Sequence, residues 1–132
     1  MPARILIVED EMLVAIELET VLGDLGYEVV GNAPDLTAAR EYFDQALDLA
    51  LVDLNLRDGL TGPQIGETLG GRGVSVLFVT ANPRQLGHGI AGAIGVITKP
   101  TDEDMVKAAV AYALAVRRGQ VAEAPPYLRL LG

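Results

Sequence analysis

After Arg4 the chain runs Ile5-Leu6-Ile7-Val8 without a polar break, and it then meets Glu9, Asp10 and Glu11. A strand with one wet face alternates apolar and polar residues, so a short unbroken run closed by charge reads as a strand buried on both faces that ends at a sheet edge. Leu49 to Val52 closing on Asp53, and Val74 to Val79 closing on Thr80, repeat the arrangement. Strands of this kind need cover on both faces, and helices inserted between successive parallel strands supply it.

The intervening segments carry helical spacing. From Glu11 to Leu25, the residues Val14, Leu18, Val21, Leu22 and Leu25 recur on one helical face, and Gly26 follows as a stop. The pattern continues with a strand over 28–31, a helix over 35–45, a strand over 49–53 and a helix over 62–69. A strand over 74–79, a weak Gly-rich helix near 84–92, a strand over 95–97 and a helix over 102–118 complete it. Five β/α pairs joined by short connections and right-handed crossovers predict an α/β fold. It is a doubly wound, five-stranded parallel sheet of the flavodoxin-like type, with strand order 2-1-3-4-5. Residues 1–118 form this domain, and residues 119–132, with Pro125-Pro126 and the short apolar Tyr127 to Leu131, read as a tail.

Composition narrows the chemistry. With no cysteine there is neither a disulfide framework nor a thiolate site. Ten basic against eighteen acidic residues give a net charge of -8, which opposes a polyanion and argues against nucleic-acid binding. The apolar runs are too short to span a bilayer, and the first residues lack a signal-like pattern, so no membrane association and a cytoplasmic location are expected.

In open α/β sheets, ligands bind beyond the carboxyl ends of the strands. Those ends deliver Glu9 and Asp10 from strand 1, Asp53 from strand 3, Thr80 from strand 4 and Lys99 from strand 5. Three clustered carboxylates repel one another unless a cation compensates. Mg²⁺, a hard ion that prefers oxygen ligands, suits Glu9, Asp10, Asp53 and the backbone carbonyl of Asn55. With its charge screened, Asp53 can act as a nucleophile towards phosphorus while Lys99 neutralises phosphoryl oxygens. Thr80 can then read the new charge by a hydrogen bond that draws its loop inward. Singly, Asp53 and Thr80 are ordinary turn formers and Lys99 an ordinary surface lysine; the chemistry rests on their joint placement. His88, in the Gly-rich loop without a second ligand candidate, reads as surface, and Gly31, Gly59 and Gly62 as turn and cap residues.

Ile7-Val8-Glu9-Asp10, Val52-Asp53-Leu54-Asn55, Val79-Thr80-Ala81 and Thr98-Lys99-Pro100 together resemble the receiver domains of two-component response regulators, the CheY-like family, over residues 4–118. The resemblance implies a phosphoprotein of signal transduction. Glu9, Asp10, Asp53 and the Asn55 carbonyl would bind Mg²⁺. Asp53 would form an aspartyl phosphate from a histidine kinase or a histidine phosphotransfer protein, and Thr80 and Lys99 would read it out. It further implies a cis Lys99-Pro100 bond, and no enzyme beyond the domain's own phosphorylation and dephosphorylation. The short stretch from Thr80 to Lys99 and the sequence Phe78-Val79-Thr80 are similar to alphaproteobacterial stress and light-response receivers of the stand-alone, single-domain type.

Two departures stand out. The acidic pair is Glu-Asp where Asp-Asp is commoner, and Val96 occupies the position where the family often has an aromatic switch residue. Signalling through protein contacts or onward phosphate relay is expected. Leu13 and Ile16 lie off the core face of the first helix, beside the rim where a kinase would dock. Met105, Ala109, Tyr112 and Val116 form a stripe on the last helix that a homodimer, or the folded-back Tyr127 to Leu131, would cover. The alternatives are a phosphorylation-independent pseudo-receiver, which would typically have lost Asp10, Asp53 or Lys99, and a haloacid-dehalogenase-like phosphatase. The latter would want its aspartate on the first strand and a second aspartate two residues on, where this chain has Asn55.

Overall fold

A computed structural model describes residues 2–86, 90 and 92–131. The strands are β1 (Arg4–Val8), β2 (Glu28–Ala33), β3 (Leu49–Val52), β4 (Ser75–Thr80), β5 (Ala93–Thr98) and β6 (Arg129–Leu130). The helices are α1 (Met12–Asp24), α2 (Leu36–Arg40), α3 (Gly62–Gly71) and α4 (Glu103–Arg117). They form one sheet in the order β2-β1-β3-β4-β5-β6, in which β1 to β5 are parallel and β6 is antiparallel to β5.

Residues along each strand alternate between two cores, one on each face of the sheet. Ile5, Ile7, Leu49, Leu51, Leu77 and Val79 face α1 and α4. Leu6, Val8, Ala50, Val52, Val76 and Phe78 face the layer of α2 and α3. Each fully buried Leu, Ile or Val contributes about 1.5–3 kcal/mol, so burial on both sides fixes the unbroken apolar runs and their register. On α3, Gly66 permits close packing: a Cβ there would lie 2.5 Å from Phe78 Cζ.

Several elements differ from expectation. Regular helix in α2 stops at Arg40, and the chain then tightens into turns with Tyr42 N–H donating to Ala39 O (2.9 Å) and Phe43 N–H to Arg40 O (3.3 Å). Of the weak helix expected near 84–92, residues 84–86 belong to a 3₁₀ turn, Pro83–Leu86, and Ile90 and Gly92 are not helical. Residues 87–89 and 91, including His88 and the glycines at 87 and 89, lie outside the described residues. Gly31 lies within β2 rather than at a turn, and the Tyr42 side chain fills the space its missing Cβ leaves. Gly59 (φ +110°) does sit in a turn.

The segment 127–131 is not peripheral to the sheet. Leu128 enters the α1/α4 core and Leu131 packs against the other, so the segment straddles the sheet edge and adds β6. The expected stripe on α4 is not a second exposed face, because Ala109 is fully buried and Tyr112 packs on the core. Leu13 and Ile16 are exposed, at 77% and 50%. Among the described residues no helix is long and apolar enough to cross a membrane.

Candidate functional site

The backbone ladder itself delivers the site. Glu9 N–H donates to Ala33 O at 3.0 Å, Asp53 N–H to Val8 O at 2.9 Å and Lys99 N–H to Thr80 O at 2.8 Å. Each is the first residue past its strand, so parallel pairing that buries the cores also brings these side chains to one rim. The Lys99-Pro100 bond is cis.

Lys99 Nζ lies 2.6 Å from Glu9 Oε1, 2.9 Å from Asp53 Oδ2 and 3.3 Å from Glu11 Oε1. Asp53 is buried, and its Oδ1 accepts the Leu54 N–H at 2.7 Å. Glu9 is also buried, and its Oε2 accepts the Glu11 N–H at 3.1 Å. Burial, the largest influence, pushes the Glu9 carboxyl up to about 7 against the pull of Lys99 and the Glu11 amide, with the Asp53 charge adding to the rise. For Lys99, burial works downward but is outweighed by its bonds to Glu9 and Asp53, which hold the ammonium charged well above the usual lysine range. One ammonium between two buried carboxylates compensates only one of them fully, and burial leaves Glu9 holding a proton more readily than an ordinary glutamate.

Carboxylate oxygens of Glu9, Asp10, Glu11 and Asp53 lie within 4.8 Å of one another. An all-oxygen set with more negative charge than Lys99 can balance fits a hard divalent cation such as Mg²⁺. Glu11, absent from the ligand set expected from sequence, belongs to this cluster. It occupies the N-cap position of α1 without making a side-chain capping bond, which leaves its carboxylate turned to the site. Ser, Thr, Asp and Asn are the usual capping residues, so a glutamate opening a helix next to an acidic pair was the available signal.

Thr80 is fully buried, and its Oγ1 accepts the Asn82 N–H at 3.1 Å. The Asn55 side chain, half-buried, donates to Gln85 Oε1 at 2.6 Å across the mouth of the site. Gly62, expected to be a simple turn or cap residue, opens α3 directly behind the site, where a Cβ would overlap the Asp53 carbonyl oxygen. A groove of about 350 Å³ lined by Glu11, Val14, Ala81, Lys99 and Pro100 opens beside the rim.

The response regulator receiver domain family matches residues 5–111. The phyllosphere-induced regulator PhyR of Methylorubrum extorquens is 36% identical over 88 residues, 64% of this chain and 33% of that protein, so the match spans about a third of that relative. The structure of PhyR from Brucella abortus has a TM-score of 0.79 at 33% identity, covering 90% of this chain and 50% of that one. The receiver domain of Erythrobacter litoralis PhyR has a TM-score of 0.80 at 31% identity, covering 92% and 97%. These are similarities to alphaproteobacterial PhyR receivers in particular, and with the family matched over most of its length, the chain belongs to the response regulator receiver domain family.

Proposed function

We propose that the chain is a phosphorylation-controlled signalling module of the cytoplasm whose acceptor is Asp53. The observation that carries this reading is the Lys99 ammonium bridging the buried Glu9 and Asp53 carboxylates with buried Thr80 on the adjacent strand. Glu9, Asp10, Asp53 and the Asn55 carbonyl would hold Mg²⁺, with Glu11 close enough to join. The ion would supply charge neutralisation at the phosphoryl oxygens.

The chain's own groups do the rest. Leu54 N–H and Lys99 fix the orientation of the Asp53 carboxylate, so one oxygen can attack phosphorus in line. A new Asp53 O–P bond forms as the bond to the donor, a phosphohistidine of a histidine kinase or phosphotransfer protein, breaks and the donor nitrogen keeps the electron pair. Lys99 then pairs with a phosphoryl oxygen, and Thr80, whose Oγ1 accepts the Asn82 amide through a lone pair, turns to donate its own hydroxyl hydrogen to another. Asn55 and Asn82 flank the path of the water that later removes the group. Output leaves through protein contacts or onward relay.

The test is incubation with acetyl phosphate and Mg²⁺ followed by intact mass of the wild type and Asp53→Ala. A labile gain of about 80 Da, one phosphoryl group, that requires Mg²⁺ and is absent from the variant is expected. No gain with acetyl phosphate or with a histidine kinase would overturn the reading.

A further inference from the structure

The segment 127–131 is tied to three parts of the domain at once. Tyr127 Oη donates to the Asp104 and Met105 carbonyls at 3.4 and 3.3 Å, on the first turn of α4. Arg129 and Leu130 pair with Val96 and Gly95 of β5, and Leu131 N–H donates to Ile94 O at 3.1 Å. The Arg129 guanidinium donates to the Pro83 carbonyl at 3.3 Å.

β5 is shaped for this occupant. A Cβ on Gly95 would lie 2.7 Å from the Arg129 carbonyl oxygen and 2.8 Å from Leu128 Cδ1, so only glycine lets the segment close on the strand. The segment is nonetheless lightly held: Leu128 is buried, but Arg129 and Leu130 are exposed, and β6 has two residues.

Pro83 connects it to the site. The loop that carries Pro83 hangs from Thr80 Oγ1 through the Asn82 amide (3.1 Å), and Gln85 N–H bonds Asn82 O at 3.1 Å while its side chain holds Asn55. When the Thr80 side chain turns so that its hydroxyl donates to a charged group on Asp53, the Oγ1 that accepts the Asn82 amide moves with it, and the carbonyl one residue on is the one that receives Arg129. Val96, in place of an aromatic switch residue, pairs with Arg129 in the same ladder.

We infer that residues 127–131 form a latch on the edge of β5, fastened while Asp53 is unmodified and released through the Thr80–Asn82–Pro83 loop when Asp53 carries a phosphoryl group. This rests on Asp53 being the acceptor. Release exposes the backbone edge of β5 and the apolar notch left by Leu128.

The experiment is amide hydrogen exchange by mass spectrometry on the full chain, with and without acetyl phosphate and Mg²⁺, alongside intact mass. Exchange in peptides covering 127–131 is expected to speed up at least about fivefold on phosphorylation, at the lower end of typical coupling between sites. Asp53→Ala should not respond, and Arg129→Ala should exchange faster before any phosphorylation. A wild-type chain that gains the phosphoryl mass with unchanged or slower exchange there overturns the latch alone. A wild-type chain that gains no mass from acetyl phosphate or from a histidine kinase overturns the acceptor reading and the latch with it.

Discussion

Lys99 Nζ is closer to Glu9 Oε1, at 2.6 Å, than to Asp53 Oδ2, at 2.9 Å, so the lysine that would meet the phosphoryl group is first of all the counter-charge of the glutamate at the end of β1. Removing it leaves two buried carboxylates facing each other. Breaking a buried ion pair from one side typically costs about 3–5 kcal/mol. Lys99 is one of the groups that pull the Glu9 value down to about 7, so in Lys99→Met Glu9 should keep its proton to higher pH, and the loss should be smaller near pH 6 than near pH 8, by at most about 1.4 kcal/mol for each pH unit above 7. Urea unfolding at the two pH values checks this, and an equal loss at both would contradict it.

The same glutamate sets a pH dependence for the unsubstituted protein. Its folded-state pKa, about 7, lies above the ordinary 4.5, so the protonated form is favoured by folding. That stabilisation is fully present below about pH 4.5 and is lost as pH rises through about 7; the shift corresponds to ~3 kcal/mol. The raised pKa of Lys99 acts in the same sense, but only where lysine titrates, above this window. Divalent ions need the deprotonated carboxylate, so Mg²⁺ affinity should climb up to about tenfold per pH unit below 7 and flatten above it, with proton release on binding. Calorimetric titration in buffers of different ionisation enthalpy measures both, and an affinity flat from about pH 5.5 to 8 would refute it.

Much of this was readable before any coordinates, for a physical reason. Burial on both faces writes β1, β3 and the 76–79 stretch of β4 as apolar runs, and parallel topology forces the carboxyl ends of these strands and β5 together, so Glu9, Asp10, Asp53, Thr80 and Lys99 could be named from where the strands stop. What stayed hidden depends on contacts remote in sequence. Tyr127 to Leu131 has no strand alternation of its own and becomes β6 because Leu128 and Leu131 find the two cores on either side of the sheet edge. Ala109 spaces as well into an outer stripe as into the core, and packing against the sheet decides for the core. The last residues of the expected second helix lose their regular bonds beyond Arg40, where Tyr42 turns to cover Gly31.

Gly62 sits against the backbone that carries Asp53. It needs no unusual φ; it is small because the Asp53 carbonyl occupies the place of its Cβ, and its own N–H donates to Leu54 O at 3.0 Å. Gly62→Ala must push α3 or the β3 end outward, and overpacking of this kind costs about 1–3 kcal/mol. Because the displaced backbone carries Asp53, acetyl-phosphate labelling at a temperature where the variant is fully folded should slow as well. Gly71→Ala, on the same helix with open space around it, is the control and should leave both stability and labelling rate near wild type.

If Asp53 is the acceptor, Thr80 is the residue at which acceptance of the phosphoryl group and the response to it should come apart. The hydroxyl is buried and serves as the acceptor for the Asn82 amide, while Asp53 and Lys99 meet without its help. Thr80→Val keeps the shape and deletes the acceptor, so it should destabilise the unmodified protein by about 1–3 kcal/mol, the cost of leaving a partly buried donor unpaired. Asp53 should still gain its phosphoryl mass, because no bond to the carboxylate has been removed. The amide resonances of Ala81, Asn82 and Gln85, which should move on phosphorylation of the wild type, should stay nearly still in the variant. If they move as far as in the wild type, the loop takes its signal from another group, and the Thr80 hydroxyl is no more than a packing and capping element of β4.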